Sequence, residues 1–372
     1  MNTVEGKYTS AVVYSDTAED YALAQIRMLC DNPAFEGSKI RIMPDVHPGS
    51  YGPIGFTATV TDKVLPAIVG VDLGCGMTMA KVKAKRVDGV QLDKVIRECV
   101  PSGFGTRTKP HRFALAFDFA RFRCAEHIRI EKAERCIGTL GGGNHFIEVD
   151  RDDEDGLYVI IHSGSRHLGK EVAEYYMSEG QKRLKKKGIA VPYEGTYLED
   201  ELMQEYMQDA ALAQEYAELN RKAMLDEILS GMKWKAVEQY SCVHNYIDTD
   251  CSVPVMRKGA ISAKKGERVI IPINMRDGVI LGTGKGNEAW NMSAPHGAGR
   301  IMKREDVRNS HTLSEYKKLM KGIYSTSVSK DTLDEAPFAY RGMDEILERI
   351  GETVEADKVL KPVYNFKSGD RR

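Results

Sequence analysis

The stretch AIVGVDLGCGMTMAKVKA, residues 67–84, predicts a strand, a glycine-rich turn and a second strand. Its glycines allow the turn to bring Asp72 and Cys75, three positions apart, into one cavity. A carboxylate and a thiolate together form a plausible metal-binding corner. The same pattern is also typical of a buried structural cysteine beside a turn-forming aspartate, so both readings stay open at this point.

Similar strand ends and turns recur along the chain. Apolar runs predict strands at 39–49 and 157–165 and a strand pair at 267–273 and 277–283. Between them, 197–232 is predicted to be mostly helical, with a core-packing stripe of Tyr, Ala and Met and a C-cap at Gly231. Because the polar motifs at these strand ends must converge, we predict a single α/β domain over 1–372, with a helical excursion at about 170–240.

The composition favours a globular protein and limits the partners that we expect. The chain has 372 residues, 42% of them hydrophobic and 29% charged, as in ordinary globular proteins. The sequence has no roughly eighteen-residue apolar window and no signal-peptide pattern, so we expect no membrane partner. Seven cysteines without a repeated spacing favour reduced thiols and a cytoplasmic location. With a net charge of −1, contact with nucleic acid requires a local basic patch, for which the runs at 81–86 and 182–187 are candidates.

Two further motifs combine histidine with groups that suit phosphate. In GGGNHFIE (141–148), three glycines free successive backbone N–H groups to face an anion, and His145 and Glu148 follow them. In HSGSR (162–166), His162 ends a predicted strand and Arg166 offers bidentate phosphate recognition. Each motif alone also fits a flexible turn or a core histidine.

The histidines carry a collective argument. Four of the nine, His145, His162, His244 and His296, lie beside Gly, Asn or Ser at predicted strand ends. In SAPHGAGR (293–300), small residues leave the ring of His296 open and Arg300 places a cation nearby, which suits a nucleophile that meets a phosphate. The other three imidazoles, with Asp72 and Cys75, could bind metal. His47, close to Asp45 in PDVHPG, is a further candidate for this site or for its surroundings.

These segments, in this order from 44 to the C-terminus, resemble the RtcB family of GTP-dependent RNA ligases. The resemblance implies a single-domain RtcB-like fold and joining of RNA 3′-phosphate or 2′,3′-cyclic phosphate ends to 5′-hydroxyl ends, in RNA repair or tRNA splicing. It also implies two Mn²⁺ ions bridged by Cys75. Asp72 and His145 would complete one metal site, and His162 and His244 the other. Ligand softness alone would favour zinc for such a donor set.

The resemblance further implies that His296 becomes guanylylated by GTP. The residues expected to hold the nucleotide are Asn144, His145, Phe146, Ile147, Glu148, His244, Asn245, His296, Gly297, Ala298, Gly299 and Lys367. Arg166 and Arg300 would contact RNA or triphosphate oxygens. An archease-like activator is a further partner that the family suggests.

Two departures from the family pattern leave alternatives open. Where the family commonly has Pro-Gly-Ser-Met-Gly, this chain has Pro-Ile-Asn-Met-Arg at 272–276, which leaves strict guanine selectivity open. The tail also continues to Arg372 beyond the usual Lys-Gly ending, which suggests a divergent branch that repairs RNA. The alternatives are a dinuclear metal phosphoesterase that opens 2′,3′-cyclic phosphates and a non-catalytic protein that binds RNA ends.

Overall fold

The computed structural model describes residues 2–369, so the tail departure at 370–372 lies outside the described residues. The strands are, in chain order, β1 (Asn2–Glu5), β2 (Ser10–Val13), β3 (Ile40–His47), β4 (Ile54–Thr59), β5 (Lys63–Val64), β6 (Gly76–Val82), β7 (Phe146–Arg151), β8 (Leu157–Ser163), β9 (Leu198–Glu199), β10 (Ala236–Val243), β11 (Asn245–Asp248), β12 (Val255–Lys258), β13 (Ala260–Ser262), β14 (Arg268–Asn274), β15 (Gly278–Gly284), β16 (Ser293–Pro295) and β17 (Val354–Phe366).

The strands form two large sheets. One has six strands in the order β1-β2-β3-β4-β12-β11, and the other has seven in the order β10-β6-β8-β7-β17-β15-β14. Two small sheets pair β13 with β16 and β5 with β9. Within these sheets, β2 and β3 run parallel and the other neighbours are antiparallel.

Helices pack around these sheets, which confirms the predicted α/β class. They are α1 (Asp20–Cys30), α2 (Pro66–Val69), α3 (Gly89–Cys99), α4 (Ile130–Cys136), α5 (Arg166–Lys186), α6 (Asp200–Met232), α7 (Arg304–Ser310), α8 (Leu313–Leu319) and α9 (Met343–Ile350). The long helices α5 and α6 occupy the region of the predicted helical excursion. In the described chain, no helix combines the length and apolar character needed to cross a membrane.

Two local predictions were wrong. The segment before the Asp72 turn forms the short helix α2 instead of a strand, because Pro66 at its first turn presets a helical φ and Gly70, at φ 95°, ends it after four residues. Helix α6 continues past Gly231 and ends at Lys233, which adopts the left-handed conformation at φ 55°. The second strand of the segment, β6, and the strand pair β14–β15 are confirmed.

The seven-stranded sheet gathers the predicted site residues at one edge. The register pairs Gly76 with Ser163 and with Val243, and it pairs Phe146 with His162. Strand β17 ends beside the start of β7, where Phe366 pairs with Ile147. In an antiparallel sheet, the end of one strand lies beside the start of its neighbour. The segments that enter or leave these strands therefore meet at the same side of the sheet, where the strands end. The fold thereby brings together chain positions that lie up to about 290 residues apart.

Candidate active site

The five predicted metal-binding residues lie together at this sheet edge. They form two groups that share Cys75: one with Asp72 and His145, the other with His162 and His244. The donor atoms within each group lie within 4.8 Å of one another. Four of the five side chains are buried, and Asp72 is partly exposed.

The separations of the donor atoms fit shared cations. The Sγ of Cys75 lies 3.3 Å from Nε2 of His145 and 3.4 Å from Nε2 of His162. The Nε2 atoms of His162 and His244 are 3.3 Å apart, and Oδ2 of Asp72 lies 3.1 Å from Nε2 of His145. Donors bound to one ion at about 2.0–2.3 Å must lie roughly 3–4 Å apart, as these atoms do.

The protonation states of the donors also suit a metal. Burial lowers the pKa values of His162 and His244 well below the usual range, so both imidazoles are neutral. Nδ1 of His162 contacts the Asn144 carbonyl oxygen at 3.1 Å, which makes Nδ1 the protonated nitrogen and leaves Nε2 with a free lone pair. The Nδ1 of His244 is buried without a hydrogen-bond partner, and its Nε2 lies 3.3 Å from Nε2 of His162, so a cation between the two rings would accept the His162 lone pair. The imidazoles therefore fit a metal.

The two acidic donors, Asp72 and Cys75, have pKa values shifted in opposite directions. Burial raises the pKa of Asp72, but the hydrogen bond and charge of His145 outweigh it and lower the pKa to about 2. Burial and then the Asp72 charge raise the pKa of the Cys75 thiol well above its usual value. A bound metal ion would reverse this, because a coordinating thiol loses its proton.

The position of Gly164 requires a glycine, because the backbone there passes close to the Asp72 carboxylate. The second carboxylate oxygen of Asp72, Oδ1, accepts a hydrogen bond from the Ser165 backbone N–H at 3.0 Å. A Cβ on Gly164 would lie 2.1 Å from this same oxygen. Only glycine therefore lets the turn after β8 hold the Asp72 carboxylate in place.

A buried arginine on α6 forms hydrogen bonds to the backbone beside the metal-binding residues, and it was not predicted from the sequence. The guanidinium of Arg221 is fully buried and donates to the carbonyl oxygens of Gly74 at 2.9 Å and Ser163 at 2.8 Å. It also donates to the Thr78 hydroxyl at 3.1 Å. Its positive charge acts to lower the pKa of Cys75. In the sequence it appears as one more charged helix residue, so only its full burial and its hydrogen bonds in the fold reveal its role.

The predicted nucleophile His296 adjoins the metal-binding residues. Its ring centroid lies 4.9 Å from that of His244. Its Nδ1 is 2.7 Å from Oδ2 of Asp45, a fully buried side chain on β3. A proton on Nδ1 shared with this carboxylate leaves the lone pair on Nε2. The sequence analysis named Asp45 only as a neighbour of His47 and did not predict this contact.

A cavity of about 240 Å³ opens beside His296. Most of the predicted nucleotide residues line it: Asn144, Phe146, Glu148, His296, Gly297, Ala298, Gly299 and Lys367, together with Arg300 and His162. The turn after His296 needs glycine, because Gly299 has φ 71° and a Cβ there would lie 2.3 Å from the Asp45 carbonyl oxygen. His47 lines the same cavity, and burial lowers its pKa to about 4.

Five residues predicted to contact nucleotide or phosphate lie outside the cavity wall: His145 and His244 belong to the two groups of metal-binding residues, and the others are Ile147, Asn245 and Arg166. Ile147 packs in the hydrophobic core, since alternate residues of β7 face opposite sides of the sheet. Asn245 holds the Asp72 turn, because its Nδ2 donates to the Asp72 carbonyl oxygen at 3.4 Å. Arg166 donates to the Thr139 hydroxyl and the Gly103 carbonyl oxygen, and its charge acts to lower the pKa of Asp72.

Cations gather around one buried carboxylate at the cavity mouth. Glu335 accepts a hydrogen bond from Nζ of Lys367 at 3.0 Å and pairs with Arg304 and, at 3.7 Å, with Arg300. Burial raises the pKa of Glu335, but these charges outweigh it and hold the pKa well below its usual range. The hydroxyl of Tyr340 donates to the same carboxylate at 2.6 Å. The sequence analysis did not predict Glu335, Arg304 or Tyr340.

Known proteins are similar in sequence to this chain over most of its length. The family model described as tRNA-splicing ligase RtcB matches residues 25–122 and 116–368. The RNA-splicing ligase RtcB of Escherichia coli K12 is 30% identical, over 88% of this chain and 90% of that protein. The tRNA-splicing ligase RtcB of Pyrobaculum aerophilum is 24% identical, over 95% of this chain and 92% of that protein. Because the family model spans the metal-binding residues and the cavity, and these relatives cover most of the chain, the chain belongs to the RtcB family.

Proposed function

We propose that this protein joins RNA 3′-phosphate or 2′,3′-cyclic phosphate ends to 5′-hydroxyl ends with GTP and two Mn²⁺ ions. The observation that carries the proposal is His296, which is oriented by Asp45 between the two groups of metal-binding residues and the cavity. The names of its relatives, RNA-splicing ligase and tRNA-splicing ligase, support RNA ligation, and we propose a role in RNA repair or tRNA splicing. The donors and the cavity draw on residues 45–367, so we propose that 1–372 acts as one catalytic domain.

The reaction begins with nucleophilic attack by His296. Its Nε2 attacks the α-phosphorus of GTP, a P–N bond forms, and pyrophosphate leaves with the electrons of the broken P–O bond. The Nδ1 proton shared with Asp45 stabilises the positive charge that develops on the ring. A 2′,3′-cyclic phosphate end must first be opened by water to a 3′-phosphate and a 2′-hydroxyl. An oxygen of the 3′-phosphate then attacks the same phosphorus and breaks the P–N bond, which releases His296. Finally the 5′-hydroxyl attacks the activated 3′-phosphate, and GMP is the leaving group.

The metal ions would be held by Asp72, Cys75, His145, His162 and His244. When bound, they would neutralise phosphate charge and orient attacking and leaving oxygens. A cysteine with three histidines is a donor set that zinc also favours, so the choice of Mn²⁺ rests on the family. All seven cysteines are free thiols, which supports our proposal of a cytoplasmic location.

The cavity supports GTP as the co-substrate. The Glu148 carboxylate accepts hydrogen bonds, as the N1–H and N2–H₂ donors of guanine require, and Lys367 can donate to an oxygen acceptor such as O6. Arg300 and the Gly297–Gly299 turn lie near His296, where the phosphates would be placed. An archease-like activator remains a proposed partner.

Incubation with GTP labelled at the α-phosphate, with Mn²⁺, tests the proposal and its alternatives. A ligase leaves label on the protein, and His296→Ala abolishes it. A phosphoesterase would open 2′,3′-cyclic phosphate ends without labelling, and a binding protein would do neither. Absence of label on the wild-type protein with full metal content would refute the ligase mechanism.

A further inference from the structure

One wall of the cavity offers no free side chain for reading a base. It is formed by Pro272, Ile273, Asn274 and Met275, of which three are apolar. The amide of Asn274 is largely engaged by its own turn: Oδ1 accepts from two backbone N–H groups at 3.0 Å, and Nδ2 uses one of its two hydrogens to donate to Asp277 at 2.8 Å. Side-chain selectivity for a base must therefore come from elsewhere in the cavity.

The cavity is also lined by two polar side chains on adjacent strands that are hydrogen-bonded to each other. Glu148 on β7 lies directly across from Asn365 on β17, and both line the cavity. Nδ2 of Asn365 donates to Oε2 of Glu148 at 2.5 Å. The Glu148 side chain has its second oxygen, Oε1, left for a ligand. Both residues are at least 98% buried, so this hydrogen bond is shielded from water.

The charged surroundings of Glu148 make its ionisation sensitive to such a bond. Burial raises the pKa of Glu148 to about 7, while the neighbouring Asp150, the hydrogen bond from Asn365 and the charge of Lys367 act to lower it. Asp150 follows on the same face of β7, is fully buried, and has its pKa raised well above its usual range by burial and then by Glu148. Asp150 is therefore the neutral member of the pair. On β8, the residue across from Glu148 is the apolar Ile160.

We propose that Asn365 is a positioning residue that holds Glu148 as an oriented anion and thereby sets the preference for guanine over adenine. The proposal deepens the proposed function and rests on its use of GTP. An ionised Glu148 accepts from guanine N1–H and N2–H₂ but repels the N1 lone pair of adenine. A protonated Glu148 could instead donate to adenine N1, so the preference for guanine is lost when Glu148 takes up a proton.

The test measures binding of the α,β-methylene analogues of GTP and ATP to the whole protein with Mn²⁺, from pH 5.5 to 9. Both analogues carry the same phosphates, so the ratio of their dissociation constants cancels contributions of metal and triphosphate and reports the base alone. In the wild type, the preference for guanine should rise as pH passes through about 7. Asn365→Leu should reduce the preference at pH 7.5 about tenfold, as expected for one hydrogen bond to a charged group, and shift its rise to higher pH.

A matched control lies one position away. Tyr364→Phe removes a buried hydrogen bond, 3.0 Å long, from the same strand to Asp93, outside the cavity, and should keep the wild-type profile. Asn365→Asp, nearly identical in shape, should lose the preference as Asn365→Leu does, since it replaces the donor by a second carboxyl. A flat ratio in the wild type overturns the inference, as does a wild-type profile in either folded Asn365 variant. Failure of the wild type to bind either analogue would instead refute the use of GTP itself.

Discussion

Replacement of Asp45 by asparagine isolates the contact that orients His296. Oδ2 of Asp45 lies 2.7 Å from Nδ1 of His296, and its other oxygen, Oδ1, is buried without a hydrogen-bond partner. Asparagine keeps the shape but removes the negative charge. If its amide nitrogen turns toward the ring, it donates to Nδ1 and forces the proton onto Nε2, the atom that must attack.

The size of the effect follows from this geometry. A hydrogen bond to a charged group contributes about 1.5–3 kcal/mol, which corresponds to roughly 10- to 150-fold in rate if it is lost at the transition state. If the ring also adopts the wrong tautomer, the loss could approach about 10⁴-fold, as for the aspartate of a Ser-His-Asp triad. Thermal stability should not fall, because the substitution removes a buried charge whose second oxygen has no partner.

Single-turnover transfer of labelled GMP to the protein measures this step directly. We expect Asp45→Asn to slow labelling at saturating GTP while GTP affinity changes little, since Asp45 does not line the cavity. Asp93→Asn, at a carboxylate on α3 that bonds Tyr364, serves as the control for loss of an unrelated partly buried carboxylate. Labelling by Asp45→Asn at the wild-type rate would show that Asp45 does not orient the nucleophile.

Three further predictions concern the metal-binding residues and phosphate contacts. Cys75→Ala should lose both metal ions, because one thiolate serves both groups; two tightly bound ions per chain by elemental analysis would contradict this. His296→Ala should lose the acid-labile, base-stable label yet still seal RNA that already carries a 3′ guanylate; label remaining on this variant would remove His296 from the mechanism. Arg300→Lys should weaken GTP binding because lysine lacks the planar fork, and Arg166→Lys should impair sealing; equal labelling and sealing by wild type and both variants would exclude both roles.

The positions of the five candidate metal ligands at strand ends and turns could be predicted from the sequence because each one lies in a recognisable local pattern. Cys75 lies in a glycine-rich turn, and His162 ends an apolar run, so their places at strand ends follow from short-range rules. The resemblance to a family then supplied the pairing of donors. The structure brings the same five residues together in the two predicted groups.

The missed features depend on contacts between distant parts of the chain. Asp45 and His296 are 251 residues apart, and no local pattern distinguishes Asp45 from a turn-forming aspartate. Arg221 is likewise hidden, since a charged residue in a long helix is usually exposed and becomes a brace only because α6 packs against β6 and β8. The helix α2 was missed because its few β-branched residues favour a strand, whereas Pro66 and the turn at Gly70 favour a helix.

The cavity and the cluster of candidate metal ligands differ in how their charges are arranged. At the cavity mouth, Arg300, Arg304 and Lys367 are already paired with the buried Glu335, so their positive charge is partly neutralised before any phosphate arrives. These pairs hold the side chains in fixed positions, which favours orientation of the nucleotide over attraction. The cluster gathers a carboxylate, a thiol and three imidazoles, of which those of His162 and His244 are kept neutral by burial. We therefore propose that bound metal ions would supply most of the attraction for the triphosphate, while protein side chains set the base, the angle of approach and the tautomer of His296.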